Sequence, residues 1–309
     1  MFHDTLPSLF LSKQFIFASQ QQSPPMNSTF KPSLAVATLA VLAGCASAAR
    51  APAAASPSTA PVVAAASVNP QVLLLGEVHD NVQGHKLRYE LLRQRIEAGW
   101  RPAIVMEQFD RENQDVLSKA QKGCLDAQCV IRVVGGPRWD WQLYYPVIQL
   151  ALTYQLPLIA ANLSRSDASR VVRDGITATF DPQSIKDYRL DQPLPADVRG
   201  GQYKEIMVGH CNMLPEMMIG GMVNAQVARD IWMAKIVRDQ QPRDVVLIAG
   251  NGHVRKDIGV AHWINEVAPA LTVRSEGFVE STDGTGRYDA VHSVPPQPRA
   301  DPCAQVQPK

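Results

Sequence analysis

The sequence predicts an α/β domain: a mainly parallel sheet flanked by helices, with a smaller helical subdomain inserted before the last strands. Three observations carry this. Apolar runs recur along the chain and are continuous rather than alternating, as strands buried on both faces require. Segments of helical period separate the first of these runs. About 80 residues lie between the third and fourth runs, far more than one crossover needs.

In chain order, the first run is QVLLLGE at 71–77, and the second is RPAIVMEQF at 101–109. Between them Leu87, Leu91, Leu92 and Ile96 repeat with helical period. Leu143, Val147, Ile148, Leu150 and Ala151 do so less cleanly before the third run, PLIAANL at 157–163. The region 177–241 reads as mainly helical and ends in a long helix from about Met222 to Gln240. The fourth run is DVVLIAGNGH at 244–253, and LTVRSEGF at 271–278 suggests a fifth strand.

The ends of the chain carry an address. Lys31 precedes an apolar stretch that closes with Leu42-Ala43-Gly44-Cys45, a length suited to a secretory h-region and too short to span a bilayer. This ending resembles a bacterial lipobox, which implies cleavage before Cys45 and lipidation of its thiol. Ala46 in the following position favours the outer membrane, facing the periplasm. Met26 makes a better start than Met1, so 1–44 reads as an extension plus lipoprotein signal. Residues 45–69, rich in Ala, Pro and Ser, lack apolar bulk and read as a tether. The folded domain is expected over 70–294, with a Pro-rich tail over 295–309. Beyond residue 44 the charges balance at 28 basic and 28 acidic, which gives no footprint for nucleic acid. Cys124 and Cys129 in GCLDAQC read as a local disulfide rather than a metal pair, because no other Cys or His is near in sequence. Cys211 and Cys303 are left over, with their pairing open.

Polar residues fall at the strand ends. Glu77 and His79 close the first run, Glu107 the second, Asn162 the third, and Asn251 and His253 the fourth. Sites in open α/β sheets form beyond the carboxyl ends of the strands. Glu77 and His79, two residues apart on an extended chain, point the same way. Gly252 allows a tight turn before His253. Such a set can move protons near neutral pH, or hold a divalent metal with an open position. That would make a hydrolase of esterase or peptidase type, with Glu107 as base or ligand, His79 as shuttle or ligand, and His253 as partner. No nucleophile elbow, HExxH or P-loop is present. A structural Glu–His ion-pair network is the competing reading. Gln226, Arg229, Asp230 and Met233 share one helix face that could meet this site, or simply face solvent.

GEVHDN, VMEQFDR, WDWQLYYP, AQVARDIWMA and AGNGHVR, in this order over about 72–279, resemble the ChaN-type haem-binding lipoproteins. They are more weakly similar to erythromycin esterase-like and metal-dependent protease-like proteins. The resemblance implies an outer-membrane lipoprotein of haem or iron uptake that binds b-type haem non-covalently. It also implies a homodimer holding two haems face to face, a tyrosine axial ligand, propionates held by the partner subunit, and a haem-uptake receptor as a further partner. No short motif carries that tyrosine. The stretch best suited to haem is QYKEIMVGHCNMLPEMMIGGM at 202–222, which offers ligands and flexible, polarizable methionines. His210 is the first ligand candidate, Tyr203 the second and Tyr144 the third, with Tyr144 read first as a packing residue beside Trp139 and Trp141. Lys204 is a propionate candidate, and Met213 belongs to the apolar surface. Met207, His210, Leu214, Met217 and Gly221 share helical spacing, which suits either a haem face or plain core.

Overall fold

The computed structural model describes residues 69–281, 286–301, 303 and 304. The readings for 1–44 and for Cys45 lie outside these residues, as does nearly all of the tether.

Six strands form one parallel sheet: β1 (Val72–Leu75), β2 (Ala103–Asp110), β3 (Leu158–Asn162), β4 (Val245–Ile248), β5 (Val273–Val279) and β6 (Ala290–Ser293), ordered β3-β2-β4-β1-β5-β6. The four residues of β1 and the four of β4 are all buried, which is why these runs do not alternate. The sixth strand lies outside the expected runs. It is a half-exposed edge strand whose AVHS sequence forms no apolar run.

Register decides where the site lies. Leu75 stands opposite Ile248, and Ile248 opposite Met106. β4 runs between β1 and β2, so the residues that follow each of these strands (Glu77, Glu107 and the turn after Ala249) emerge side by side at one edge.

Helices cover both faces. On one, α1 (Val82–Glu97), α2 (Gln114–Gly123), α3 (Ala127–Val134) and α4 (Trp141–Thr153) bury Leu92, Ile96, Leu117, Val130, Val147 and Ile148 against Leu73, Leu75, Ile104 and Met106. The buried stripe of α1 is His85, Arg88, Leu92 and Ile96; Leu87 is exposed. The expected leucine stripe is therefore rotated, and two polar residues occupy the inward face.

The other face carries α8 (Glu216–Arg238), whose Val223, Val227, Ile231 and Ala234 share a core with Val72, Leu74, Val105, Val245 and Leu247 of the sheet. Ala225 and Ala228 of the same helix pack on Ala168 and Val171 of α5 (Arg165–Asp174). Burial on two sides explains why α8 lacks a single apolar stripe. It begins six residues earlier than the sequence suggested, with Pro215 at its N-cap. α6 (Pro182–Asp187) and α7 (Ala196–Gly209) complete the helical region between β3 and β4, and α9 (Val260–Ile264) follows β4.

Both expected and open cysteine questions close. Cys124 bonds Cys129, and Cys211 bonds Cys303. The described part of the tail is irregular but tied down. Asn81, the N-cap of α1, donates to Pro295 O at 2.8 Å and to Glu280 at 2.6 Å, while Arg299 pairs with Asp80 and Glu280. Among the described residues no helix is long and apolar enough to cross a membrane.

Gly76 is fixed by close approach. A Cβ there would stand 2.2 Å from Asn251 Oδ1, and Asn251 joins the turn after β4 to β5 through the backbone of Phe278. Gly76→Ala is expected to lower stability by about 1–3 kcal/mol, read as a lower melting temperature and urea midpoint. Unchanged unfolding would contradict this packing.

Candidate functional site

Glu77 is the hub of the strand-end edge. It is 3% exposed and ion-paired with Arg88, which is itself buried. Its Oε1 accepts from Tyr144 Oη at 2.5 Å, from His79 Nδ1 at 2.8 Å and from Gln108 Nε2 at 3.2 Å. A carboxylate surrounded by donors stays ionised and fixes the donors' geometry. His79 must therefore carry its proton on Nδ1 in the neutral ring, which leaves Nε2 as the basic nitrogen.

His85 supports this from below. Arg88 Nη2 can only donate, so His85 Nδ1 accepts (3.0 Å) and Nε2–H donates to the His79 carbonyl (3.1 Å). Burial holds His85 down at about 4 and Arg88 at about 10.

The second half of the site comes from β2, β4 and α8. Glu107 Oε2 accepts the Gly250 amide at 2.7 Å, and Oε1 lies 3.6 Å from His253 Nε2. Asp230 Oδ1, fully buried on α8, accepts from His253 Nδ1 at 2.5 Å, and Gln226 touches the same ring. Burial alone would lower His253, but Glu107 and Asp230 together raise it. Burial pushes Asp230 up to about 6 against the pull of His253. Burial would likewise raise Glu107, yet His253, His79 and the Gly250 amide bring it below the ordinary value. His253 is thus held between two carboxyl groups, Asp230 at Nδ1 and Glu107 facing Nε2.

The halves meet at Gly250. A Cβ there would stand 3.0 Å from His79 Nε2 and 3.7 Å from Glu107 Oε2. Gly250 is the glycine the site needs. Gly252, singled out for its turn, has open space around its α-carbon and no left-handed backbone. His79 keeps 35% of its side chain exposed, edge-on to Trp139 at 5.0 Å, so the site is an open face.

Glu77, His79, Glu107 and His253 are therefore brought together. Asn162 and Asn251 are not: Asn162 donates to Asp110, and Asn251 bridges strands. Tyr144, considered for haem, is fully buried and serves Glu77 instead. Gln226, Asp230 and Arg229 face the site as their spacing allowed, whereas Met233 is core. His85, Arg88 and Gln108 were missed. Extending Leu92 and Ile96 backwards by one helical turn lands on Arg88 and His85, which was the available signal. Among the described residues no group of three His, Cys, Asp or Glu side chains is placed to hold a metal ion.

The haem stretch lies elsewhere, at the α7–α8 corner. It is not one helix face: α7 ends at Gly209, Cys211 and Asn212 turn with φ of 59° and 56°, and α8 starts at Glu216. Met207 and Leu214 pack partly into the core. Tyr203, Val208, Met213, Met217 and Met218 are exposed, Met217 to 91%. His210 sits at the C-cap of α7, one face with Tyr203, and its Nδ1–H donates to Ile206 O at 2.7 Å. A ring held this way through a backbone carbonyl carries its lone pair on Nε2, the tautomer that ligates metals. An exposed apolar corner with an imidazole and a phenol fits haem. Lys204 is exposed beside them.

Folding holds His85 at about 4, against 6.5 for an ordinary histidine. The unfolded chain then binds more protons between these values, so this contribution is complete above 6.5 and is lost as pH falls to 4. The expected loss is about 3 kcal/mol. Glu276 and Glu280, both held at about 2, add a separate loss below about 4.5. Melting temperatures across pH 7 to 4 should fall for the wild type and flatten for His85→Gln; equal slopes would refute the assignment.

No curated protein matches the sequence. The solved structure of Campylobacter jejuni ChaN with cofacial heme is 20% identical, covers 72% of this chain and 86% of its own, and has a TM-score of 0.60, which shows the shared fold. An erythromycin esterase in its open conformation is 16% identical over 68% of this chain and 70% of its own, with a TM-score of 0.39. An effector domain of a Vibrio vulnificus toxin is 12% identical over 72% of this chain and 37% of its own, with a TM-score of 0.37. The profile described as haem-binding uptake, Tiki superfamily, ChaN matches residues 63–264, a span that takes in β1 to β4, the strand-end face and the α7–α8 corner, and the chain belongs to that family.

Proposed function

We propose that the protein binds b-type haem at the α7–α8 corner and works as a lipid-anchored factor of haem or iron acquisition, storage or delivery, at the periplasmic side of the outer membrane. The observation that carries this is the exposure of Tyr203, Met213, Met217 and Met218 on the same short segment as His210, the end of α7 and the start of α8. Exposing that much apolar and sulfur-rich surface in one corner is costly unless a ligand or partner covers it. Family membership supports haem as that ligand. Iron is held axially by His210 through Nε2, with the Tyr203 phenol one helix face away, and Lys204 meets a propionate. All four cysteines among the described residues are in disulfides, which suits haem held without thioether bonds. A second copy of the chain covers the outer haem face, as the resemblance implies, and Cys45 carries the lipid. An outer-membrane haem-uptake receptor is the partner such a protein serves.

Hemin added to the purified protein should give a saturable Soret shift. His210→Ala should weaken binding about tenfold or more, and Tyr203→Phe should change the spectrum less. A saturable shift untouched by either variant would place the ligand elsewhere; no saturable shift would sink the proposal.

One observation favours a second activity. A buried carboxylate that orients a partly exposed imidazole and leaves Nε2 as its basic nitrogen is a general-base dyad. In this reading His79 takes a proton from water as the oxygen adds to an ester or amide carbonyl. The proton passes to the departing alcohol or amine as the acyl bond breaks. Glu107, ionised and occupied by Gly250, supports charge rather than acting as base. A screen of ester and peptide substrates should find turnover that His79→Ala lowers at least about 100-fold; turnover indifferent to His79→Ala would refute it.

A further inference from the structure

Arg229 is the charged group at the strand-end face that the site itself does not use. It lies on α8 between Gln226 and Asp230, and both of those touch His253. Glu107 is the opposite charge that acts on it most, Asp230 and Asp110 act less, and Arg138 opposes them. Yet among the described residues its half-buried guanidinium has no hydrogen bond and no ion pair within 4 Å. The other inward arginines are all engaged: Arg88 by Glu77, Arg255 by Asp257 and Glu205, and Arg111 by Asp167. Across the face, Trp139 stands against His79, next in sequence to Arg138, and its buried indole N–H also lacks an acceptor among the described residues. An unpaired donor cut off from water, as the Trp139 indole is, is costly, and Arg229 lies half-buried within range of the His253 charge with no partner among the described residues. What both lack is a planar acceptor, and a guanidinium fork matches a carboxylate best.

We propose that Arg229 is the anchor of an anion subsite at the strand-end face, and that it takes the carboxylate of a small organic ligand lying over His79. Two sources supply that chemistry: a haem propionate or the acid group of a separate small molecule. The inference depends on neither haem at the α7–α8 corner nor turnover at His79.

The test uses the full chain with ¹⁵N-labelled histidine. Benzoate is titrated at constant ionic strength, with neutral benzamide as control, and the ring resonances of His79 and His253 are followed. Benzoate should shift both saturably and benzamide neither. Arg229→Gln should weaken benzoate about tenfold or more, with Arg229→Lys between the two. Absence of a saturable benzoate shift in the wild-type protein overturns the proposal without need of any variant. So does benzoate binding that is equal in Arg229→Gln. Hemin and hemin dimethyl ester then separate the sources. If Arg229→Gln weakens hemin but not the ester, the ligand is a propionate. If it weakens benzoate and spares hemin, the subsite serves a separate acid. A protein that binds benzoate but no hemin would refute the haem reading and leave this one standing.

Discussion

One buried ion pair organises the strand-end face. Arg88 and Glu77 are both about 1% exposed at their side chains. Breaking a pair of this kind from one side typically costs about 3–5 kcal/mol, because the remaining charge is left uncompensated. A well-packed apolar pair would stabilise the fold as well or better, so stability alone does not explain it. What the pair does is fix a carboxylate at the end of β1. That carboxylate orders Tyr144, Gln108 and His79 around itself and sets the tautomer of His79. Arg88–Glu77 is a buried ion pair of the kind the competing network reading expects, and it supports an imidazole that reaches solvent.

Sheet order makes the second half possible. β4 inserted between β1 and β2 brings the Gly250–His253 turn between Glu77 and Glu107. α8 then closes the face from above with Asp230 and Arg229. The same helix begins at the corner that carries His210 and the exposed methionines. One long helix therefore borders both the proposed haem surface and the strand-end site. The tail ties them from outside, held by Asp80 and Glu280 at one end and by Cys211 at the other.

Much of this was legible in the sequence, and for physical reasons. Strands buried on both faces announce themselves as continuous apolar runs, so five of the six were found, and their polar ends located Glu77, His79, Glu107 and His253. β6 is an edge strand with nothing to bury, and left no such trace. His85 and Arg88 were hidden because polar residues on an inward face look like a break in the stripe, and the period shifted to Leu87 and Leu91 instead. Gly250 and Gly252 cannot be told apart without knowing which one His79 faces. The α7–α8 corner misled the reading of one shared helix face, since the left-handed turn at Cys211 and Asn212 breaks the helix at residues that carry no glycine or proline to signal it.

The most direct test is the protonation pattern of His79 itself, read from its two ring-nitrogen resonances in the wild-type protein at neutral pH. If Glu77 orders the site as described, the neutral ring carries hydrogen on Nδ1 and its lone pair on Nε2. A neutral ring protonated on Nε2 would mean that Glu77 does not hold it, and the strand-end face would lose its base.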